Sequence, residues 1–462
     1  MGNRDPGRGG EGAVSGTIPR IVIAGTWSGC GKSTVASGLM AALAGRGRVV
    51  QPFKVGPDFI DPTHHTACCG RISRNLDPFL MGEDGVRETF RNATEGADVA
   101  VIEGVMGLYD GLDGTTEAST AHVARLLDAP VVLVVDVRGM SGSVHALLRG
   151  YREHDPGLRL EGAILNRVGS PRHRAMIERG LRMQVLGWIP RSDTFRVESR
   201  HLGLRMAHEG EGMARIASAI GDCCDLDGIL SLAGQAPPLP AVRQEPLPAP
   251  GRSTRIGVAR DQAFCFLYQD NLDRLAAAGA SLVFFSPLCD PLPDVDGMYL
   301  GGGYPELHAA GLEAGSCRLP LKEAIDRGLP VYGECGGLVY LSEGVTEPDG
   351  SFTRRMTGAL PCETEMTACV QALGYVAGAW LAGTPFGPAG SPVRGHEFHY
   401  SRLTCAPDAR FRVRLDRGKG ICNGLDGISE HATVAGYTHA YFTREFAVSF
   451  VEAAAAWREG EK

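Results

Sequence analysis

Residues 21–34 read IVIAGTWSGCGKST, and this pattern indicates the fold of the first half of the chain. Residues 21–24 are an apolar, β-rich run, and residues 33–44 are a small-residue segment of helical character. A strand, a glycine-rich turn and a helix N-terminus in this order bind phosphate, because successive backbone amides and the helix dipole point at one anion. The stretch therefore predicts a P-loop.

The residues of this loop have distinct expected roles. Lys32 would reach the β- and γ-phosphates of a nucleotide, and the Ser33 hydroxyl would bind Mg²⁺. The strict motif has glycine six residues before the lysine, whereas this chain has Thr26 there and Gly25 one residue further upstream. This departure is typical of the dethiobiotin-synthetase-like branch of P-loop proteins, which contains ligases and amide-forming enzymes. We assign ATP binding to Gly25, Thr26, Gly29, Gly31, Lys32, Ser33 and Thr34.

Carboxylates cluster in two glycine-containing loops of the same half. Residues 54–62, KVGPDFIDP, supply Asp58 and Asp61, and residues 102–111, IEGVMGLYDG, supply Glu103 and Asp110. The carboxyl ends of parallel strands meet at one edge of a sheet, where ligands bind. The predicted ligands of Mg²⁺ are Ser33, Asp58 and Glu103.

Two polar residues follow later apolar runs, and each has two open interpretations. Asn166 could contact adenine, but asparagine in such a turn also has an ordinary structural use. Asp136 could cap a turn or face the nucleotide. We include Asn166 among the expected ATP-binding residues.

The second half contains a different active-site pattern. Residues 331–337, VYGECGG, form a Gly-x-Cys-x-Gly elbow after an apolar run, which presents the Cys335 sulfur on a sharp turn. Residues 301–306, GGGYPE, follow another predicted strand and can supply backbone donors. We expect an oxyanion hole at Gly302, Gly303 and Gly336.

A nucleophilic thiol needs a base that keeps it ionised. His439 is the preferred candidate, and His396 and His399 compete with it. In the usual triad a carboxylate stands two residues after the histidine, but here that residue is Tyr441. A Cys335–His439 dyad is therefore favoured over a triad.

The chain organisation predicts two α/β domains. In the first half strands alternate with helices, which indicates a mostly parallel sheet covered on both faces, and the α/β pattern restarts in the second half. Proline clusters interrupt this pattern between the halves and indicate a semi-rigid linker. The predicted parts are a disordered tail at 1–18, a P-loop domain at 19–231, the linker at 232–254 and a second α/β domain at 255–462.

Composition narrows the class of protein. The 462 residues are 44% hydrophobic and 21% charged, which is ordinary for a globular chain. The net charge of −7 argues against nucleic acid as a partner. The sequence has no apolar run of 18 residues or more, so we predict no membrane-spanning helix. The thirteen cysteines are scattered and no export signal is evident, which favours reduced thiols and a cytoplasmic location.

Taken together, these motifs resemble the cobyrinate a,c-diamide synthase family over nearly the whole chain from residue 21 onward. The stretches that carry the resemblance are GTWSGCGKST (25–34), KVGPDFIDP (54–62), EGVMGLYDG (103–111), GGGYPEL (301–307), GECGG (333–337) and RGHEFHYS (394–401). The resemblance implies an N-terminal ATP-dependent synthetase domain with a parallel P-loop sheet, and a C-terminal class I glutaminase domain.

The resemblance also implies a reaction. Cys335 would form a glutamyl thioester and release ammonia, and ammonia would displace phosphate from an acyl phosphate of the tetrapyrrole. The c and a carboxylates would be amidated in turn. The implied substrate-binding residues are Asp58, Phe59, Ile60, Asp61 and Asp110, although Phe59 replaces a tyrosine often found there in the family.

Several alternatives stay open at this point. Related enzymes act on cobyrinate, hydrogenobyrinate or nickel-sirohydrochlorin, and the motifs do not separate these substrates. Cobyric acid synthase is less favoured, because its N-terminal half lacks the 54–61 pattern. A P-loop switch ATPase with a decayed second domain is the rival from another class, although the intact Cys335 elbow argues against it. A homodimer is compatible with the resemblance, and the oligomeric state stays open.

Overall fold

The computed structural model describes residues 17–192, 199–200, 203–204, 213–240, 254–350 and 353–460. By their contacts these residues divide into two compact units. The first unit falls within Met1–Gly56, Ile60–Ser73 and Phe90–Val242, and the second within Pro57–Phe59, Arg74–Thr89 and Arg243–Lys462. Two short pieces of the first half of the chain are therefore packed with the second half.

The elements of the first half alternate between strands and helices. In chain order they are β1 (Arg20–Gly25), α1 (Lys32–Gly45), β2 (Val50–Val55), α2 (Asp61–Cys69), β3 (Arg74–Leu76), α3 (Pro78–Ala93), β4 (Val99–Glu103), α4 (Thr120–Leu126), β5 (Val131–Asp136), α5 (Ser143–His154), β6 (Leu160–Val168), α6 (Pro171–Glu178), β7 (Gln184–Pro190), β8 (Ser199–Arg200), β9 (Gly203–Leu204), α7 (Met213–Cys223) and α8 (Leu226–Ala233).

The sheet of the first unit is parallel. Its strands lie in the order β2-β4-β1-β5-β6-β7, and each neighbouring pair is parallel. The side chains of β1, β4 and β5 are buried throughout, as expected for central strands with helices on both faces. Because β1 and β4 are neighbours, their C-terminal ends bring the P-loop beside the loop that begins at Glu103.

The second half begins as an α/β unit and continues with antiparallel strands. Its elements are β10 (Thr254–Ala259), α9 (Gln269–Ala277), β11 (Ala280–Phe285), β12 (Gly297–Leu300), α10 (Ala309–Ala314), α11 (Arg318–Asp326), β13 (Val331–Glu334), α12 (Gly336–Leu341), β14 (Gly344–Thr346), β15 (Thr353–Arg355), β16 (Cys362–Met366), β17 (Ala372–Trp380), β18 (Pro392–His399), β19 (Ser401–Cys405), β20 (Arg410–Arg417), β21 (Leu425–Glu430), β22 (Thr433–Gly436), β23 (His439–Ala440) and α13 (Arg444–Gly460).

The main sheet of the second unit changes character along its width. Its order is β11-β10-β12-β13-β22-β21-β20-β17-β18-β23, with parallel pairing from β11 to β22 and antiparallel pairing beyond. A smaller sheet, β15-β14-β16-β19, completes the unit. The predicted α/β class with a parallel P-loop sheet and a second α/β domain is confirmed, and the antiparallel strands are an addition to it.

The predicted tail and linker fall largely on residues that lie outside the described parts of the chain, namely 1–16 and 241–253. The domain boundaries drawn from the sequence therefore stay a prediction. Within the described ranges, no helix is both long and apolar enough to cross a bilayer. All thirteen cysteines lie in these ranges and are free thiols.

Candidate active sites

The P-loop has the backbone conformation that phosphate binding requires. Gly29 and Gly31 have φ values of 96° and 97°, in the left-handed region that favours glycine. A Cβ atom at Gly31 would come 2.2 Å from Nδ2 of Asn166. Asn166 itself donates a hydrogen bond from Nδ2 to the Cys30 carbonyl oxygen at 2.8 Å. The structure thus places Asn166 against the P-loop, which it braces, and its contact with adenine stays a prediction.

The loop after β4 and the helix α5 each donate a hydrogen bond to a backbone carbonyl oxygen at the start of the P-loop. The Leu108 amide donates to the Gly25 carbonyl oxygen at 2.8 Å. The Tyr151 hydroxyl donates to the Thr26 carbonyl oxygen at 2.6 Å. Within the loop, Asp110 accepts a hydrogen bond from the Gly107 amide at 2.9 Å. Asp110 therefore shapes the loop beside the phosphate site, and its role in substrate binding stays a prediction.

Glu103 is the centre of a buried charge cluster at the phosphate site. Its Oε1 lies 3.0 Å from Nζ of Lys32, 2.8 Å from Nζ of Lys54 and 2.6 Å from Oγ of Ser33. Its Oε2 lies 2.7 Å from Nε2 of His65. We refer to Glu103, Lys32, Lys54, His65 and Ser33 as the Glu103 cluster.

The cluster keeps its central carboxylate ionised. Burial by itself would raise the pKa of Glu103, but Lys54, Lys32 and His65 together lower this pKa well below its ordinary value. Glu103 is completely buried, so the attraction is weakly screened by water. A permanent negative charge therefore lies beside the P-loop lysine and serine.

Asp61 is the second carboxylate at this site. Its Oδ2 lies 2.6 Å from Nζ of Lys54 and 3.3 Å from Oγ of Ser33. Mg²⁺ in nucleotide sites is usually held by one or two carboxylates together with phosphate oxygens and water. The oxygen atoms of Ser33, Asp61 and Glu103 fit that requirement. No cluster of three or more His, Cys, Asp or Glu side chains is arranged as a closed metal site within the described ranges.

The segment before Asp61 is packed with the second unit. Pro57–Phe59 belongs to that unit by its contacts, and the Asp58 carbonyl oxygen accepts a hydrogen bond from Asn75 at 2.8 Å. The Phe59 ring is stacked on the Phe266 ring, with centroids 5.2 Å apart. The Ile60 carbonyl oxygen accepts a hydrogen bond from the Thr63 hydroxyl at the start of α2. The roles predicted for Asp58, Phe59 and Ile60 stay predictions.

The second unit contains the strained turn expected of a nucleophile elbow. Cys335, between β13 and α12, has φ 45° and ψ −91°, a conformation that side-chain-bearing residues rarely adopt. A Cβ atom at Gly337 would come 2.2 Å from the Leu300 carbonyl oxygen, so only glycine allows this approach of α12 to β12. The thiol donates to the Phe398 carbonyl oxygen at 3.8 Å.

The predicted oxyanion loop lies between the elbow and His439. A Cβ atom at Gly302 would come 2.2 Å from Cε1 of His439, and one at Gly336 would come 2.9 Å from the Gly303 amide nitrogen. Gly302 also exchanges two backbone hydrogen bonds with Phe266, which fixes the loop. The structure thus brings Gly302, Gly303, Gly336 and His439 together, and their roles as oxyanion donors and base stay predictions.

His439 and its rivals lie close together but differ in their partners. β23 pairs with β18, so that His396 is opposite His439 and their rings stack with centroids 4.9 Å apart. Nδ1 of His396 lies 2.8 Å from the Tyr268 hydroxyl, and Nδ1 of His399 donates to the Ser401 carbonyl oxygen at 2.9 Å. Nδ1 of His439 has no hydrogen-bond partner among the described residues.

Burial makes the glutaminase site neutral. It raises the pKa of the Cys335 thiol to about 12, with smaller contributions from Glu306 and Glu334. Burial also lowers the pKa of His439 well below its ordinary value, helped by His396 and His399. Thiol and imidazole are both uncharged at neutral pH, so the histidine can act as a general base when glutamine is attacked.

The comparisons with known proteins match both halves of the chain. Residues 21–204 match the model of a CobQ/CobB/MinD/ParA nucleotide binding domain, and residues 255–446 match that of a CobB/CobQ-like glutamine amidotransferase domain. The proteins named cobyrinate a,c-diamide synthase from Methanosarcina acetivorans, Archaeoglobus fulgidus and Syntrophotalea carbinolica are 42%, 44% and 48% identical to this chain. Their matches cover 97%, 94% and 92% of this chain and 98%, 96% and 96% of the relatives. The chain belongs to the cobyrinate a,c-diamide synthase family.

Three residues of this cobyrinate a,c-diamide synthase family member were not assigned from the sequence. Lys54 and His65 hold the carboxylate of Glu103, and Glu334 lies near His439. Lys54 and Glu334 lie inside the family motifs KVGPDFIDP and GECGG, so these motifs could have identified both residues as candidates for the sites. His65 lies in α2 outside any quoted motif, and only the fold connects it to Glu103.

Proposed function

We propose that this chain is an ATP- and glutamine-dependent ligase that amidates the c and a carboxylates of cobyrinate in cobalamin biosynthesis. The observation that carries the proposal is the presence of two separate sites in one chain. One is a P-loop beside the ionised Glu103. The other is the Cys335 elbow, whose preceding residue Glu334 lies 3.9 Å from the buried His439. The proposed domains are 19–231 for the synthetase and 255–462 for the glutaminase.

The first site would activate a carboxylate of the macrocycle. Hydroxide is a poor leaving group, so amide formation requires conversion of the carboxylate to an acyl phosphate. Lys32 and the P-loop amides would bind the phosphates of ATP, and Ser33, Asp61 and Glu103 would hold Mg²⁺. The metal-ligand role that the sequence suggests for Asp58 stays a prediction. When bound, Mg²⁺ would neutralise charge on the phosphate oxygens.

The second site would supply ammonia. Cys335 would attack the glutamine amide, the amides of Gly303 and Gly336 would stabilise the oxyanion, and His439 would accept the thiol proton. The Gly302 amide donates to the Phe266 carbonyl oxygen, so Gly302 would position this loop and would reach the oxyanion only after that bond opens. Free ammonia is mostly ammonium at neutral pH, so its release inside the protein that consumes it preserves the nucleophile. This requirement explains why one chain carries both sites.

A direct test offers the purified protein ATP, Mg²⁺ and glutamine with cobyrinate, hydrogenobyrinate and nickel-sirohydrochlorin in equal amounts. We expect mass spectrometry to show two successive amidations of cobyrinate, each dependent on ATP and on glutamine. Preferential amidation of nickel-sirohydrochlorin or hydrogenobyrinate would contradict the assigned macrocycle. A rate of ATP hydrolysis that does not change when glutamine or macrocycle is added would contradict the assignment as an amidotransferase.

Two further points belong to the same proposal. A cytoplasmic location is based on the cysteine pattern of the sequence, and a homodimer is based on the family resemblance. Fractionation of cells, and light scattering of the purified protein, would test them.

A further inference from the structure

The position that supplies the orienting carboxylate in the usual triad has another use in this chain. Tyr441 stands two residues after His439, and its hydroxyl accepts a hydrogen bond from Nη2 of Arg274 at 2.9 Å. Nevertheless Nδ1 of His439 is buried and has no hydrogen-bond partner among the described residues. A buried polar atom without a partner costs free energy, so an unpaired Nδ1 indicates a function.

A carboxylate from a different place in the sequence approaches this nitrogen. Oε2 of Glu334, the residue directly before the nucleophile, lies 3.9 Å from Nδ1 of His439. Glu334 is completely buried at the end of β13. Its Oε1 accepts a hydrogen bond from the Ala440 amide at 3.0 Å, and its Oε2 accepts one from the Tyr299 hydroxyl at 2.8 Å. The carboxylate is thus fixed to the strand that carries His439.

We propose that Glu334 is the positioning residue of the glutaminase site, where it orients the His439 imidazole and balances its positive charge during glutamine hydrolysis. The proposal rests on the proposed function, since it concerns the step that releases ammonia. A carboxylate oxygen has two lone pairs, so Oε2 can accept from Nδ1–H while it keeps the bond from Tyr299. Hydrogen bonds of catalytic groups are often long in the absence of substrate and shorten in the reacting complex.

The proposed contact has a defined part in the reaction. Nε2 of His439 removes the thiol proton while the Cys335 sulfur forms a bond to the amide carbon of glutamine. The same proton then passes to the amide nitrogen as the carbon–nitrogen bond breaks, which releases ammonia and leaves the thioester. Water hydrolyses the thioester to glutamate and restores the thiol. The imidazolium exists between the two proton transfers, and Glu334 faces its Nδ1–H.

The protonation state of Glu334 decides whether His439 can act as a base. A protonated Glu334 that donates to Nδ1 leaves the imidazole proton on Nε2, which then cannot accept the thiol proton. An ionised Glu334 accepts from Nδ1–H and leaves Nε2 free. Burial raises the pKa of Glu334 to about 8. The titratable groups that surround it are Tyr268, Tyr299, Tyr332, Cys335 and His439.

The test uses Glu334→Gln in the full chain. The glutamine side chain has the same shape. Its oxygen can accept from the Ala440 amide, and its NH₂ group can donate to the Tyr299 oxygen once that hydroxyl turns away. We expect the kcat of glutamine hydrolysis to fall about 10²-fold or more, as when the orienting carboxylate of a serine protease becomes an amide. The KM for glutamine should stay within about threefold, because the change affects the chemical steps.

Two controls separate positioning from local structure and charge. Tyr299→Phe removes the hydrogen bond to Oε2 but keeps the carboxylate, and should change kcat by only a few fold. Glu306→Gln removes a second acid whose charge also raises the pKa of the Cys335 thiol. It should not reproduce the loss in kcat. Equal losses in Glu334→Gln and in either control would overturn the proposal.

A pH profile adds a readout that a structural role alone would not change. In the unmodified protein, kcat/KM for glutamate release should rise as the pH passes through about 8, because Glu334 must be ionised. In Glu334→Gln this rise should be absent. Its persistence would overturn the proposal. Amidation with added ammonia should be normal in Glu334→Gln, because the synthetase site is unchanged. If the unmodified protein shows no ammonia-dependent amidation, that result contradicts the proposed function and not the role of Glu334.

Discussion

Two glutamates occupy equivalent places in the two units and behave in opposite ways. Glu103 ends β4 and Glu334 ends β13, and both are completely buried. Lysines and a histidine lower the pKa of Glu103 well below its ordinary value, whereas burial raises that of Glu334 to about 8. Burial by itself therefore does not fix the charge of a strand-end carboxylate.

The partners of each glutamate explain the difference. Glu103 contacts two ammonium groups and an imidazole, and their attraction exceeds the cost of removing the carboxylate from water. Glu334 contacts a phenol hydroxyl and a backbone amide, which are neutral. The first arrangement suits a site that handles charged phosphates. The second suits a site whose carboxylate can gain or lose a proton near neutral pH.

The largest expected effect follows from Lys32→Ala, which removes one of the charges around Glu103. We expect amidation to be abolished with glutamine and with ammonia alike, because carboxylate activation precedes the attack of either nitrogen source. Glutaminase activity measured alone should continue, since its residues lie in the second unit. Amidation with added ammonia by the Lys32→Ala protein would show that the P-loop is wrongly assigned.

Cys335→Ala should remove only one of the two activities. Glutamine-dependent amidation should vanish, because the attacking sulfur is gone. Amidation with ammonium at alkaline pH should persist, because the Glu103 cluster is intact. His439→Ala should behave alike, and His396→Ala is its matched control from the same pair of stacked rings. Selective loss of glutamine use in His396→Ala, but not in His439→Ala, would mean that the base has been misassigned.

Glu103→Gln should lower turnover by about 10²-fold, as is common when a charged group is removed from a phosphoryl-transfer site. It should also destabilise the protein by about 3–5 kcal/mol at neutral pH, because Lys32 and Lys54 lose their common partner. Circular dichroism in urea would measure the free energy of unfolding, and ATP- and ammonia-dependent amidation would measure turnover. If turnover falls by only two- or threefold, Glu103 has a structural role and does not act in phosphoryl transfer.

The pH dependence of stability tests the comparison of the two glutamates directly. Glu103 has a lowered pKa, so its stabilisation is complete above about pH 4.3 and is lost as the pH falls through the folded-state pKa. Glu334 has a raised pKa, so its buried neutral form favours folding below about pH 4.3, and this contribution decreases as the pH rises to about 8.

Replacing each glutamate with glutamine should therefore change a different part of the curve of unfolding free energy against pH. Glu103→Gln should flatten the loss of stability at acid pH, and Glu334→Gln should flatten the decrease between about pH 4.3 and about pH 8. Urea unfolding at a series of pH values would measure both. Identical profiles for the two variants would show that the two carboxylates do not differ in charge as described.

The smallest expected effect concerns Phe59, whose ring lies 5.1 Å from that of His439 and stacks on Phe266. Phe59→Leu keeps apolar volume but loses the planar contact, so glutamine-dependent kcat should fall by a few fold. Ammonia-dependent amidation would reveal any separate role of Phe59 in macrocycle binding. An unchanged glutaminase together with a raised KM for cobyrinate would favour the substrate-binding role predicted from the sequence.

The parts of the sites that depend on local backbone can be predicted from the sequence alone. The P-loop and the elbow are short stretches in which glycines permit specific turns, and a turn is defined by neighbouring residues. For this reason IVIAGTWSGCGKST and VYGECGG predicted both the elements and the reactive side chains, Lys32 and Cys335. Strand and helix alternation likewise predicted the parallel sheet of the first half, because the period of apolar residues is a local property.

Tertiary structure decided which groups surround those reactive side chains. Lys54 and His65 reach Glu103 from β2 and α2, and Glu334 reaches His439 across more than a hundred residues of chain. It also decided that Pro57–Phe59 packs with the second unit while Asp61 pairs with Ser33. Charge states follow from such neighbours, because the Coulomb energy and the cost of burial depend on distance and solvent access in the folded molecule. A sequence lists the ionisable groups, but their separation exists only in the fold.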